Sequence, residues 1–297
     1  MQSNREDKSR EKKTIGAEGN PWDIRIANFG RVIEFVNPFR TASLSVTGTS
    51  CSLNCAHCGG RYLGHMLPPE RWKELDRTVV RSCLVSGGCA PDGRVPVDDR
   101  LEEVRELSRE FRLNMHLGLI SEAEAERIAA FASMVSFDFV VDDETIREVY
   151  GLPGTGRDYI TTYQMLRRYM RVIPHICIGL KGGKIAGEYA ALEALRELGA
   201  EAVIFIVFIP TPGTRYAALP PPALKEVGDV LAHARELFPK TPIYLGCMRP
   251  RGAYRDELDC IAIDCGINRI VLPSRKAREH AGKRGLEVVW KDECCAF

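Results

Sequence analysis

The chain is predicted to be an α/β protein built on a (β/α)8 TIM-type barrel, complete or nearly so. Three observations predict it. From Thr41 onward, short apolar runs rich in β-branched residues alternate with charged, amphipathic stretches of helical length. Eight such runs can be drawn, which is the strand count of that barrel. The Gly-, Cys- and Pro-rich segments fall at the ends of the runs, on the rim where a barrel gathers its functional loops. A doubly wound open sheet is the alternative arrangement of the same elements.

In chain order, residues 1–20, Met1 to Asn20, are dense in charge and glycine and read as a mobile tail. Residues 21–40 mix Trp22, Ile24, Ile26 and Phe29 with polar positions, and are expected to pack as an N-terminal extension across the bottom or side of the barrel. The barrel itself is expected over 41–273. Its core strands are predicted at Ala42–Thr47, Ser82–Ser86, Asn114–Ile120, Val135–Val141, Val172–Gly179, Ala202–Ile209, Pro242–Gly246 and Arg269–Leu272. Helices are predicted at Pro69–Val80, Asp99–Phe111, Glu122–Ala132, Asp143–Tyr150 continuing through Asp158–Arg168, Gly187–Leu198, Pro221–Leu237 and Tyr254–Cys265. Residues 274–297 are expected to form a C-terminal extension that closes on an exposed Cys294-Cys295 pair.

Forty-one Lys and Arg against forty Asp and Glu leave a formal charge of +1, which argues against nucleic-acid binding through bulk electrostatics. No segment approaches the ~18 apolar residues of a membrane span, and Met1 to Lys13 lacks the apolar stretch of a secretory signal, so a soluble, cytoplasmic protein is expected. Eleven cysteines in 297 residues, without such a signal, point to metal or redox chemistry and away from a disulfide framework. Cys83 and Cys260, in apolar surroundings, can equally be small core residues.

The strongest signal is Cys51-Ser-Leu-Asn-Cys55-Ala-His57-Cys58, directly after the first core strand. Three closely spaced thiols are one short of a closed four-ligand site, so one metal position is left for something else. Half of a zinc site completed by Cys89 or His65 is the structural alternative. Ser86-Gly87-Gly88-Cys89 closes the second strand, Asp142-Asp143 the fourth, Gly179-Leu180 the fifth, Pro210 to Thr214 the sixth and Gly246 to Gly252 the seventh, all on the same rim.

Cys-x3-Cys-x2-Cys after the first strand of a βα barrel resembles the signature of the radical S-adenosylmethionine enzymes. The resemblance implies a radical SAM (β/α)8 barrel in which Cys51, Cys55 and Cys58 hold three irons of a 4Fe-4S cluster and S-adenosyl-L-methionine chelates the fourth. It also implies a 5′-deoxyadenosyl radical that takes hydrogen from an unactivated C–H bond. His57, Tyr62, Gly87, Gly88, Asp142, Gly179, Leu180 and Pro210 are the implied cofactor-binding residues. Where the family usually carries Gly-Gly-Glu for the methionine amino group, this chain has Gly87-Gly88-Cys89.

Cys83, Asn114 and Cys177 fall at places resembling the second-cluster positions of biotin synthase, with Asn114 standing where a cysteine is expected. Cys89, Cys247, Cys294 and Cys295 are the first-choice ligands of an auxiliary 4Fe-4S cluster near the rim, with Cys83 and Cys177 as substitutes. Thr47-Gly48-Thr49, Tyr62-Leu63, Asp92 to Pro96, Gly246 to Gly252 and the Cys-Cys tail most resemble the two-component lipoyl synthases of archaea and some bacteria. That likeness implies sulfur insertion into a protein-bound octanoyl chain on a lipoyl-carrier protein, beside a homologous second component and with reduced ferredoxin or flavodoxin as electron donor. Biotin, methylornithine or metallocofactor biosynthesis is the alternative within the superfamily. A non-catalytic iron–sulfur or zinc-binding protein is the alternative outside it.

Overall fold

The computed structural model describes residues 19–297, so the expected tail lies outside the described residues except for Gly19 and Asn20. Asn20 belongs to the fold. Its side chain accepts from the Trp22 amide at 3.0 Å and caps α1 (Pro21–Phe29), with Pro21 preset for the first helical turn.

After α1 come β1 (Val32–Val36), β2 (Thr41–Ser45), β3 (Ser82–Ser86), α2 (Leu101–Leu107), β4 (Arg112–His116), α3 (Glu122–Ala129) and β5 (Met134–Asp138). The chain continues through α4 (Asp143–Thr145), α5 (Gly156–Tyr169), β6 (Val172–Ile178), α6 (Glu188–Glu197), β7 (Val203–Val207) and α7 (Leu224–Leu237). It closes with β8 (Ile243–Leu245), α8 (Ala253–Asp264), β9 (Arg269–Val271), α9 (Arg275–Lys283) and β10 (Glu287–Lys291). All ten strands are parallel in one sheet of order β10-β1-β9-β8-β7-β6-β5-β4-β3-β2, curled into a half-barrel. The eight expected core strands are β2 to β9, in sequence order.

Both extensions differ in part from expectation. In residues 21–40, α1 packs at the side of the barrel against α7 and α8 as expected, but β1 joins the sheet itself, pairing Glu34 with Arg269 of β9 and Val32 with Glu287 of β10. The stretch expected as a helix over Pro69–Val80 is only a 3-10 turn, Pro69–Glu74. Leu67 before it bridges Leu44 along the free edge of β2 and accepts from the Trp72 indole at 3.1 Å, so the chain covers that edge instead of crossing over as a helix. The long helix expected from Asp143 is broken at Gly151, whose φ of +71° ends a π turn over Ile146–Tyr150.

Alternation within each strand sorts side chains between two layers. Leu44, Val85, Leu113, Phe137, Ile176 and Phe205 face outward into the main core under the helices. Met134, Ile173, Ala202 and Ile204 face the lumen, where they pack with Cys295 and Ala296 of the tail. The Cys-Cys end is therefore not exposed. Asn37 and Arg40 donate main-chain bonds to Lys291 and Asp292, Cys294 donates to the Thr41 hydroxyl at 2.8 Å, and Arg269 donates to the Cys295 and Phe297 carbonyls. These bonds draw an apolar tail into the lumen at the N-terminal ends of β2 and β4, where Cys295 and Ala296 lose their contact with water.

Candidate functional site

The three-cysteine loop leaves β2 at the C-terminal mouth. Thr47 Oγ1 donates to the Ser50 carbonyl at 2.8 Å and accepts from the Gly88 amide at 2.7 Å. Ser52 donates to the Cys89 carbonyl at 2.8 Å, Ala56 to Val149 at 2.7 Å, and Tyr216 donates back to Ala56 at 3.1 Å. The loop is thus wedged between the segments that follow β3, α4 and β7. A methyl group at Gly88 would stand 2.0 Å from the Ser50 carbonyl oxygen and 2.6 Å from Cys51 Cα and Cβ, so the glycine is what lets the two loops meet.

Cys55 is buried, and Cys51 and Cys58 are partly so. A hydrogen bond from Cys55 holds the Cys58 thiol down at about 4 against the cost of burial, with His57 adding to the effect. The same bond and burial push the Cys55 thiol upward. Cys51 Sγ meets the Leu53 carbonyl at 3.2 Å. Three thiols on one anchored loop fit three corners of an iron–sulfur cluster.

His57 packs edge-on against Tyr150 with ring centroids 5.8 Å apart, and its buried Nδ1 has no partner among the described residues. Tyr62 shares a 2.7 Å hydrogen bond with Thr211, which brings the loop containing Pro210 beside the cysteines. Asp142 is spent locally. Its carboxylate caps α4, accepting from the Thr145 amide at 2.7 Å and hydroxyl at 2.6 Å. Gly179, at φ +74°, donates to Glu188 at 2.7 Å, and buried Leu180 follows it in a tight turn; Asp142, Leu180 and Lys181 line one small cavity.

The expected auxiliary ligands separate into two places. Cys89 sits with the first loop: burial first, then the charges of Cys51, Asp138 and Cys58, push its thiol up to about 12. Cys247, Cys294 and Cys295 gather within the barrel. Cys294 and Cys295 have their sulfurs 4.0 Å apart, and Asn114 Nδ2 donates to Cys294 Sγ at 3.3 Å while its Oδ1 accepts from Ser136 at 3.0 Å. The hydrogen bond from Cys295 holds Cys294 at about 6 despite burial. Cys247 lies in the loop just after β8, near enough to the tail that, after burial, the charge of Cys294 pushes its thiol up. Cys294 also lines a cavity of about 220 Å³ with Arg112, Arg269 and Phe297. Cys83 is fully buried on the outward face, in the core, and Cys177 faces the lumen from β6. Cys265 hydrogen-bonds the Gly228 carbonyl at 3.4 Å between α7 and α8.

Sequence reasoning left out Asp138, and read His116, inside the third predicted strand, either as facing the barrel to touch substrate or cofactor or as a satisfied core histidine. The Met134, Ser136, Asp138 face of β5 looks into the lumen, and Asp138 lies in register with His175 of β6. His116 and His175 approach with ring centroids 5.6 Å apart. Burial, and then His116, lower the His175 pKa to about 4. A signal was present in Met-Val-Ser-Phe-Asp, where two polar residues alternate with outward apolar ones.

No protein-family model and no curated protein matches the chain. Solved structures do. Methylornithine synthase (PylB) superposes with a TM-score of 0.64 at 15% identity, over 91% of this chain and 87% of that one. The FeFe-hydrogenase maturase HydG from Carboxydothermus hydrogenoformans gives 0.64 at 15% identity, over 93% and 72%. Streptococcus suis SuiB bound to S-adenosylmethionine gives 0.50 at 14% identity, over 82% and 58%. At these identities the likeness is one of fold alone, a parallel βα half-barrel.

Proposed function

We propose that the chain is a radical S-adenosylmethionine enzyme of the biotin-synthase-like group, and that it inserts sulfur into a protein-bound octanoyl or mercaptooctanoyl chain as one component of a two-protein lipoyl synthase. One observation carries the reading: two thiol sets share one lumen, Cys51, Cys55 and Cys58 at its C-terminal mouth and Cys247, Cys294 and Cys295 within it. When bound, a 4Fe-4S cluster with S-adenosyl-L-methionine supplies a carbon radical that can take hydrogen from an unactivated C–H bond, and a second cluster supplies sulfide.

The chain's own residues have distinct tasks in this reading. Cys51, Cys55 and Cys58 hold the first cluster, and Gly87 and Gly88 let the β3 loop lie against it. Tyr62, tied to Thr211, and His57, packed on Tyr150, shape the cofactor side of the mouth. Cys247, Cys294 and Cys295 hold the second cluster, and Asn114 orients Cys294 by its 3.3 Å hydrogen bond. Ile173, Ile204 and Ile206 line the facing wall and exclude water from a reactive carbon. An octanoylated lipoyl-carrier protein, a homologous second component and a reduced ferredoxin or flavodoxin are the partners this chemistry requires.

The test is anaerobic reconstitution followed by iron and sulfide analysis and a 5′-deoxyadenosine assay under strong reductant. The reading expects about eight irons per chain, as two four-iron clusters demand, together with S-adenosylmethionine cleavage. About four irons on repeated trials removes the sulfur donor, and absence of cleavage removes the radical chemistry.

A further inference from the structure

The lumen wall at β4, β5 and β6 carries more polarity than an acyl chain alone can use. Asp138 ends β5 on its lumen face and is exposed there, although Phe137 and Phe139 on either side are buried in the outer layer. Among the described residues its carboxylate has no hydrogen-bond or ion-pair partner, and its charge is felt at both His116 and His175. His175 Nδ1 lies 3.2 Å from the Ile173 carbonyl, which fixes the proton on that nitrogen and leaves Nε2 an acceptor. His116 carries no such bond, so its ring N–H is free to donate. One acceptor and one donor therefore stand side by side on the lumen face, next to Ile204 of β7, which is in register with His175.

Depth adds a second constraint. Met134 of β5 is in register with Asn114, the residue that holds Cys294, and Asp138 lies four positions further along the same strand. At ~3.3 Å per residue, Asp138 is roughly 13 Å from the level of Asn114 and Cys294. An extended eight-carbon acyl chain spans roughly 8 Å from its carbonyl carbon to its terminus, counting about 1.2 Å per bond as in an extended backbone. An amide held at Asp138 would leave the distal carbons about 5 Å short of that thiol level.

We propose that Asp138 and His116 form a binding subsite for the secondary amide that joins the acyl chain to its carrier lysine. Asp138 accepts the amide N–H and His116 donates to the amide carbonyl, while His175 buttresses the pair. This rests on the sulfur-insertion reading, because the amide is the one polar group of that substrate. The subsite sets specificity for amide-linked chains and measures the chain against the Cys247, Cys294 and Cys295 set.

The experiment compares two peptides on the anaerobically reconstituted full-length protein, one carrying Nε-octanoyl-lysine and one carrying Nε-methyl-Nε-octanoyl-lysine, which has the same chain but no amide N–H. Dissociation constants are read by fluorescence anisotropy, without turnover, and sulfur incorporation is read separately by mass spectrometry. The wild type is expected to bind the N-methyl peptide on the order of 10- to 100-fold more weakly, the range for a lost hydrogen bond to a charged group. Asp138→Ala should bring the two peptides within about threefold, and Asp138→Asn, which keeps an acceptor, should retain part of the discrimination. Equal binding of both peptides by the wild type overturns the subsite. So does discrimination that survives Asp138→Ala. Discrimination in binding with no sulfur transferred counts against the sulfur-insertion reading and leaves the amide subsite standing.

Discussion

Asn114 and Cys294 meet across 180 positions of sequence: the Asn114 amide, fixed on β4 by Ser136, donates to the Cys294 sulfur at 3.3 Å. A tail thiol is thereby brought to the inside of the barrel. Cys294→Ser should lower the iron content from about eight to about four per chain, because one of two four-iron clusters loses a ligand. Cys83→Ser, on the outward face, should leave about eight. Iron analysis of the two reconstituted variants in parallel checks both, and an equal loss in each would mean that the count reports folding alone.

Gly88→Ala should damage the first site by pushing on the Ser50–Cys51 stretch of the cysteine loop. Its added methyl group has no free space, because the nearest atoms are the Ser50 carbonyl and the Cys51 backbone. Overpacking of this kind costs about 1–3 kcal/mol and must displace the cysteine loop or the β3 loop. The expected outcome is a protein with a lower urea midpoint and reduced iron retention. Gly30→Ala, at an open turn with φ of +65°, provides a strained comparison far from the cysteines and should lower the midpoint without selective loss of iron.

Arg249, two residues after Cys247 in the loop that follows β8, is completely buried. It forms a two-point ion pair with Asp259 at 2.8 and 3.2 Å and donates to the Gly246 and Val271 carbonyls at 2.6 and 2.8 Å. It clamps the β8 loop, and with it Cys247, onto the end of β9. Arg249→Ala leaves Asp259 buried without its counter-charge, which costs about 3–5 kcal/mol. Arg251→Ala, on an exposed neighbour, should stay within about 0.5 kcal/mol of wild type by urea denaturation.

The buried imidazole of His175 makes stability depend on acid. Its folded pKa, about 4, lies below the ordinary histidine value of 6.5, so the unfolded chain binds a proton that the folded chain refuses. Its contribution is complete above pH ~6.5 and is lost as pH falls from there towards 4. The loss is on the order of 2–3 kcal/mol over that window. Urea midpoints at pH 7, 5.5 and 4.5 should fall more steeply for wild type than for His175→Leu. Parallel curves would show that the imidazole is not desolvated in the folded protein.

Much of the fold was legible because strands buried under helices must be short, apolar and β-branched, and β3 and β9 were read to within one residue. What escaped depended on partners far along the chain. Val32 to Val36 carries Glu34 at its centre and looks half-polar; only the buried Arg269, brought next to it by parallel pairing, makes that glutamate suitable for a strand. The Cys-Cys tail looked exposed because its neighbours Asp292 and Glu293 are charged. Those charges are instead spent on Arg40 and Arg112 at the N-terminal ends of β2 and β4, and the four residues beyond them go inside. The cysteine loop announced itself through spacing. Asp138 did not, because a lone acid at a strand end acquires meaning only when the sheet curls and gives that face a lumen.

The central claim is that one lumen couples a radical-generating thiol set to a sulfur-donating one. It is tested most directly by a single-turnover reaction of the reconstituted protein, given S-adenosylmethionine and strong reductant, on a carrier peptide bearing octanoyl-lysine and, in parallel, on its mercaptooctanoyl form. Mass spectrometry should show sulfur newly incorporated at a carbon of the chain in one of the two peptides, with 5′-deoxyadenosine formed alongside. Formation of 5′-deoxyadenosine with no sulfur added to either peptide, in protein holding its full iron complement, would contradict the account.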